Sequence, residues 1–158
     1  MRVTVISDIH DNDLNLQALL DFCEKEKIEN IICCGDLTNS YTLNILAQFS
    51  GQIFLVRGNA DNYKIEDIEK YKNIKYWGEI GQDKIDKRSF GLCHEKYKIK
   101  SLPLNDLDIV FYGHSHKPWL EQKEKTIIAN PGTLGGVLQK ATFAVWETKN
   151  NTLQLQLI

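Results

Sequence analysis

The chain has 158 residues, of which 42% are hydrophobic, 9% aromatic and 25% charged, an ordinary globular balance that excludes a disordered, collagen-like or disulfide-scaffold chain. Nineteen Lys and Arg against twenty-one Asp and Glu give a formal charge of −2 with no long block of one sign, which argues against a duplex nucleic-acid partner. No apolar run reaches the roughly 18 residues of a membrane span, no secretory leader is read, and the length suits one domain over 1–158 but not a (β/α)₈ barrel.

In chain order, residues 2–7 (RVTVIS) predict a strand. Leu14, Leu16, Ala18, Leu19, Leu20, Phe22 and Cys23 then form a helical apolar stripe. Residues 30–34 (NIICC) are nearly all apolar, as expected for a strand covered on both faces, with Cys33 and Cys34 pointing to opposite sides. A helix over 38–49 and a strand over 52–56 complete a strand–helix alternation that implies parallel strands joined by right-handed crossovers.

The second half changes character. Strands are predicted over 74–80 and 89–94, with Lys87-Arg88 closing a hairpin, and again over 107–112, 119–123 and 126–129. Residues 141–148 and 152–158 alternate around Asn150-Asn151, a hairpin signal. A parallel half followed by a mainly antiparallel half predicts two sheets packed face to face with helices outside. The four cysteines lack CxxC spacing, so they are expected to be reduced, space-filling thiols of a cytoplasmic protein.

The polar residues are positioned at strand ends. Asp8 and His10 follow the first strand, Gly35-Asp36 the second and Gly58-Asn59 the third. His94 ends the strand over 89–94, and His114 and His116 follow Gly113 after the strand over 107–112. Carboxyl ends of strands are where open α/β sheets gather ligand-binding groups. Taken singly, each has a plainer reading. Asp8 would serve as a helix cap, Gly35-Asp36 and Gly58-Asn59 as turns, and His94 as a hydrogen-bonded strand end. Together, two Asp, four His and one Asn predict a metal site, and seven donors suit two divalent cations better than one tetrahedral zinc. Oxygen and imidazole donors without thiolate fit manganese, nickel, iron, cobalt or zinc, and the net positive centre they build would attract a phosphate ester.

Asp8-x-His10, Gly35-Asp36, Gly58-Asn59-x-Asp61, His94 and Gly113-His114-Ser115-His116 stand in an order and spacing that resembles the calcineurin-like metallophosphoesterases, and more narrowly the small YfcE-type phosphodiesterases. Asn130-Pro131-Gly132-Thr133 resembles the Asn-Pro-Gly-Ser loop of that subfamily. The resemblance spans essentially the whole chain and implies an αββα sandwich of two mixed sheets flanked by helices.

It also implies that Asp8, His10, Asp36 and His116 hold one ion and that Asp36, Asn59, His94 and His114 hold the other, with Asp36 bridging. Manganese is the first expectation for both. A hydroxide shared by the two ions would attack phosphorus in line with the leaving alkoxide, making the chain a metal-dependent phosphoesterase. Asn59 and Asn12 are the expected phosphate contacts, and Asp61 is expected to orient an imidazole. Substrates would be small phosphate esters or nucleotides, with no membrane partner and with edge strands that permit a homodimer.

Three positions depart from the family pattern. Ala60 stands where larger members carry a leaving-group acid, which predicts a preference for activated esters. Glu95 replaces a Gly after the ligand histidine and is expected to face solvent, and Asp11 is expected to cap the first helix. Lys96, Lys98 and Lys100 form either a phosphate-receiving rim or a solvated face, with the solvated face preferred. Tyr76 and Trp77 are expected to be core rather than base-stacking. The alternative function is a non-catalytic scaffold subunit of the same fold, which usually shows replaced ligand positions. A metallo-β-lactamase-type hydrolase would need an early HxHxD cluster, which is absent.

Overall fold

A computed structural model describes residues 1–158. The first strand, β1 (Arg2–Ile6), leads into α1 (Asp13–Lys25), which is capped by the Asn12 side chain accepting from the Asn15 amide. Leu16, Leu19, Leu20 and Cys23 recur at the helical interval and form its buried face. Leu14, one of the predicted stripe, is instead 84% exposed, because the helix turns that position away from the sheet. The chain continues through β2 (Asn30–Cys33), α2 (Ser40–Leu46), β3 (Gln52–Leu55), a single turn α3 (Ile65–Ile68) and β4 (Ile74–Tyr76).

The predicted strand over 74–80 is two strands in two sheets. The chain turns at Gly78 and leaves the first sheet, and β5 (Ile80–Ile85) opens the second. β6 (Arg88–Cys93) pairs back on β5 across the Asp86-Lys87 turn. Two 3₁₀ helices, Lys96–Ser101 and Leu104–Asp106, then precede β7 (Ile109–Phe111), β8 (Trp119–Lys123), β9 (Thr126–Asn130), β10 (Thr142–Glu147) and β11 (Thr152–Leu157).

The sheets run in the orders β11-β10-β1-β2-β3-β4 and β5-β6-β7-β9-β8. The strands β1 to β4 are parallel, and β10 and β11 return antiparallel on the β1 side. The second half is less antiparallel than its pattern suggested, since β6, β7 and β9 are mutually parallel and only the two edges run antiparallel. The 3₁₀ helix at Lys96–Ser101 and the loop after it supply the long crossover that a parallel β6–β7 pair requires.

Strand alternation sorts the apolar residues into three layers. Ile6, Ile31, Cys33, Ile53 and Leu55 face α1 and α2. Val3, Val5, Ile32, Cys34, Phe54 and Val56 face the second sheet, where they meet Phe90, Leu92, Ile109 and Phe111 around the fully buried Trp146. Cys33 and Cys34 therefore lie in different layers, as their adjacency required. On the outer face of the second sheet, Val110, Tyr112 and Ile128 are covered by Ile99, Leu102 and Leu107, so 3₁₀ turns form the outer layer there instead of an α-helix. Trp77 is half-buried and packs against the layer between the sheets, stacked on Phe54 at 5.9 Å, and Tyr76 packs at the edge of the helical layer. No helix is long and apolar enough to cross a membrane.

Candidate metal centre

The carboxyl ends of β1, β2, β3, β6 and β7 bring the predicted donors to one edge of the sandwich. Asp8, His10 and His116 form one cluster whose ligand atoms lie within 4.8 Å of one another, and Asp8, Asp36 and His94 form a second. Asp8 is common to both clusters, and the Asp36 Oδ2 atom of the second lies 3.7 Å from His10 Nε2 of the first and 3.2 Å from His94 Nε2. His116 Nε2 is 3.3 Å from Asp8 Oδ1 and 3.1 Å from His10 Nε2. The Asn59 Oδ1 atom closes the other side, 3.0 Å from His94 Nε2 and 2.7 Å from His114 Nδ1.

Backbone geometry makes this convergence possible at a cost. Asp8, His10, Asp36, His114 and His116 all have positive φ, between 46° and 68°, a region that L-residues avoid. Strain concentrated on non-glycine residues marks sites where side chains must be aimed. Two glycines let the strand ends approach. A Cβ on Gly58 would collide with the Asp36 carboxylate and amide, and one on Gly113 would collide with Ser7 Oγ and crowd Asp8 Oδ2.

The surrounding hydrogen bonds fix which atoms face inward. His94 Nδ1 lies 2.8 Å from the Cys34 carbonyl and His116 Nδ1 lies 3.1 Å from the Val137 carbonyl, so each donates outward and turns Nε2 toward the cluster. The Asp8 carboxylate accepts from the His114 amide at 2.9 Å, and the Asp36 carboxylate accepts from the Ala60 amide at 2.8 Å.

Asp8 and Asp36 are both buried, yet no Lys or Arg pairs with either; only imidazoles lie within ion-pair distance. Burial pushes the Asp8 carboxyl above the usual carboxylate range. Burial pushes Asp36 the same way, but its hydrogen bond and charge interaction with His94 prevail and hold it low. Burial opposes charge on His94 too, and Asp36 outweighs it and raises the imidazole. Two buried carboxylates without a fixed cation, ringed by imidazole and amide oxygen, fit a pair of divalent ions of the oxygen- and nitrogen-binding kind. The arrangement is a dinuclear metal-binding site compatible with a metal-dependent phosphoesterase mechanism.

Two of the predicted residues do other work. Asn12 does not face the cluster: its Oδ1 caps α1 and its Nδ2 donates to the Gly135 carbonyl at 2.9 Å. Asp61 touches no imidazole. It is buried and accepts from the amides of Asp36, Thr38 and Gly58 and from the Tyr63 hydroxyl at 2.9 Å, so it ties together the loops after β2 and β3.

The departures resolve similarly. Asp11 caps nothing on α1; its carboxylate receives the Thr38 and Thr42 hydroxyls and the Asn39 amide, clamping the start of α2. Glu95 does not face solvent, because Lys98 Nζ holds it at 2.8 Å. Lys96 pairs with Glu121 at 3.1 Å and Lys98 also reaches Glu79 at 3.3 Å, so these two lysines are engaged by the protein's own acids, while Lys100 is exposed and has no acidic partner.

Sequence reasoning missed Tyr63 and the carbonyls of Cys34 and Val137, and it noted Thr133 within the Asn130-Pro131-Gly132-Thr133 loop without a role. Thr133 Oγ1 donates to the Asp8 carbonyl at 2.8 Å, and Asn130 Nδ2 donates to the Gly113 carbonyl at 2.8 Å. The Asn130-Pro131-Gly132-Thr133 loop therefore braces two ligand loops at once, a role its motif signalled without revealing its partners. Backbone carbonyls carry no signal in sequence.

Residues 1–151 match the description "Calcineurin-like phosphoesterase superfamily domain". The chain belongs to that superfamily. Among its relatives is Phosphodiesterase MJ0936 of Methanocaldococcus jannaschii, 25% identical over 144 residues that cover 87% of each chain. Phosphodiesterase YfcE of Escherichia coli is 24% identical over 149 residues, covering 85% of this chain and 79% of the relative. The YfcE structure superposes with a TM-score of 0.74 at 20% identity over all of both chains. A solved structure described as a novel archaeal phosphodiesterase superposes with a TM-score of 0.90 at 20% identity, also over the whole of both chains. Superfamily membership and the metal clusters make the chain a metal-dependent hydrolase of phosphate esters.

Proposed function

We propose that the chain is a phosphodiesterase of small phosphate esters or nucleotides, using two divalent ions, manganese foremost. The observation that carries this reading is the pair of donor clusters joined at Asp8, with the Asp36 carboxylate of one also within reach of His10 of the other. Two bound ions would lower the pKa of a water they share and draw negative charge from the phosphoryl group.

The residues divide the remaining work. Asp8, His10, Asp36 and His116 would hold one ion, and Asp36, Asn59, His94 and His114 would hold the other. The outward hydrogen bonds of His94 and His116 occupy Nδ1 and leave Nε2 turned toward the cluster. Asn59 spends its oxygen on the second ion, and its Nδ2, which makes no hydrogen bond within the chain, is left to donate to a phosphate oxygen. Asp61 is a positioning residue acting through the Asp36 and Gly58 amides. Ala60 offers no proton to the leaving group, so aryl leaving groups should outpace alkyl ones by about 10²–10⁴. Four buried, unpaired thiols support a reducing, cytoplasmic setting.

The test is hydrolysis of bis-p-nitrophenyl phosphate by protein titrated with Mn²⁺, Ni²⁺, Co²⁺, Fe²⁺ and Zn²⁺, with Asp36→Asn as the blank. Turnover by the wild type and a loss beyond about 100-fold in the variant are expected, since even residues that merely support a ligand are worth 10–100-fold. Absence of turnover with every metal would refute the reading.

A further inference from the structure

Leu138 is the most exposed large hydrophobic residue of the molecule, at 91%, and Val137 beside it is 41% exposed. Leu138 also has a φ of 62°. Bulky aliphatic residues rarely adopt that conformation, and Asn or Gly would take it readily. An isolated exposed leucine needs no explanation, but one held in a strained conformation does.

The segment is anchored to the metal centre. The Gly135 amide donates to the Asp8 carbonyl at 2.9 Å, and Asn12 Nδ2 donates to the Gly135 carbonyl. Two residues later the Val137 carbonyl receives His116 Nδ1. Asn15, in the first turn of α1, donates to the Leu134 carbonyl at 2.8 Å, and its neighbour Leu14 is 84% exposed. The backbone of 134–137 is thus fastened to two ligand loops and the start of α1; Leu134 is buried in the core, while Val137, Leu138 and Leu14 are left exposed.

We infer that residues 137–138 form an apolar wall beside the metal centre and select phosphodiesters carrying an apolar or aromatic ester group. This rests on the phosphoesterase reading and names the substrate class it serves. The ions recognise the phosphoryl group whatever its substituents, whereas Val137 and Leu138 discriminate by removing an ester substituent from water. Lys96 and Lys98, by contrast, are paired with acids of the chain.

The test keeps the leaving group constant. Methyl p-nitrophenyl phosphate and phenyl p-nitrophenyl phosphate both release p-nitrophenolate and differ in the retained ester. The wild type should favour the phenyl ester in kcat/KM. Leu138→Asn, whose side chain suits the positive φ, should lower the phenyl-to-methyl ratio about tenfold while leaving Tm equal or higher, and the near-isosteric Val137→Thr should lower it less. Hydrolysis of both esters with a ratio unmoved by either variant overturns this inference alone. Hydrolysis of neither ester by the metal-loaded wild type overturns the phosphoesterase reading and this inference with it.

Discussion

The layer between the two sheets and the edge that carries the donors are built on opposite principles. Between the sheets, 14 buried apolar residues interlock around Trp146, and none of them has a positive φ. At the donor edge, five of the seven candidate ligands do, and two buried carboxylates lie close to each other. The first region gains free energy from burial. The second stores strain and like charge that a pair of cations would relieve, with each left-handed residue costing roughly 1–2 kcal/mol. The sandwich can carry such an edge because the donors are mounted on the ends of strands already fixed by that core.

Substitutions separate the two regions. Trp146→Ala removes the side chain that meets both Phe90 and Phe111, at ring distances of 6.1 and 5.5 Å. It should cost about 3–5 kcal/mol and lower Tm by about 10 °C, measured on metal-free protein by thermal unfolding. A loss below 1 kcal/mol would show that the inter-sheet layer does not carry the stability assigned to it. Tyr63→Phe acts on the other side of the contrast. It deletes the hydroxyl that satisfies Asp61 and should cost about 1.5–3 kcal/mol, together with roughly tenfold in metal affinity by calorimetric titration. An affinity equal to wild type would mean that Asp61 holds the loops without aiming Asp36.

The smallest effect concerns the thiols. Burial pushes Cys23 up to about 11 and Cys93 up to about 12, and raises Cys33 and Cys34 as well. The folded state therefore holds thiol protons that the unfolded chain releases near pH 9, so this contribution to stability is complete below pH 9 and is lost as pH rises above it. Native protein at pH 8 should leave all four thiols unreacted with a disulfide reagent and expose all four on denaturation. Reaction of any thiol in the native state would contradict the packing of these layers.

The donor edge was legible in the sequence because its chemistry is written in short motifs placed directly after strands. Asp8-x-His10 and Gly113-His114-Ser115-His116 need no partner residue to be noticed. What escaped was whatever depends on a distant partner. Asp11 reads as the cap of α1 and Asn12 as a phosphate contact, yet Asn12 caps the helix, while Asp11 is claimed by Thr38, Asn39 and Thr42. Glu95 looks free until Lys98, three residues on, is brought round by a 3₁₀ turn. The strand-like stretch over 74–80 conceals a change of sheet, since apolar residues stand at both of its ends and Gly78 is the local mark of the crossing. The parallel pairing of β6, β7 and β9 was obscured because neither crossover is an α-helix: 3₁₀ turns join β6 to β7, and a loop with the edge strand β8 joins β7 to β9.

The account turns on two ions sharing Asp36, and metal stoichiometry after equilibrium dialysis against Mn²⁺ addresses that directly. Two ions per wild-type chain, with at most one retained by Asp36→Asn, is the expected result. A single ion per wild-type chain at saturation, or an unchanged count in the variant, would contradict it.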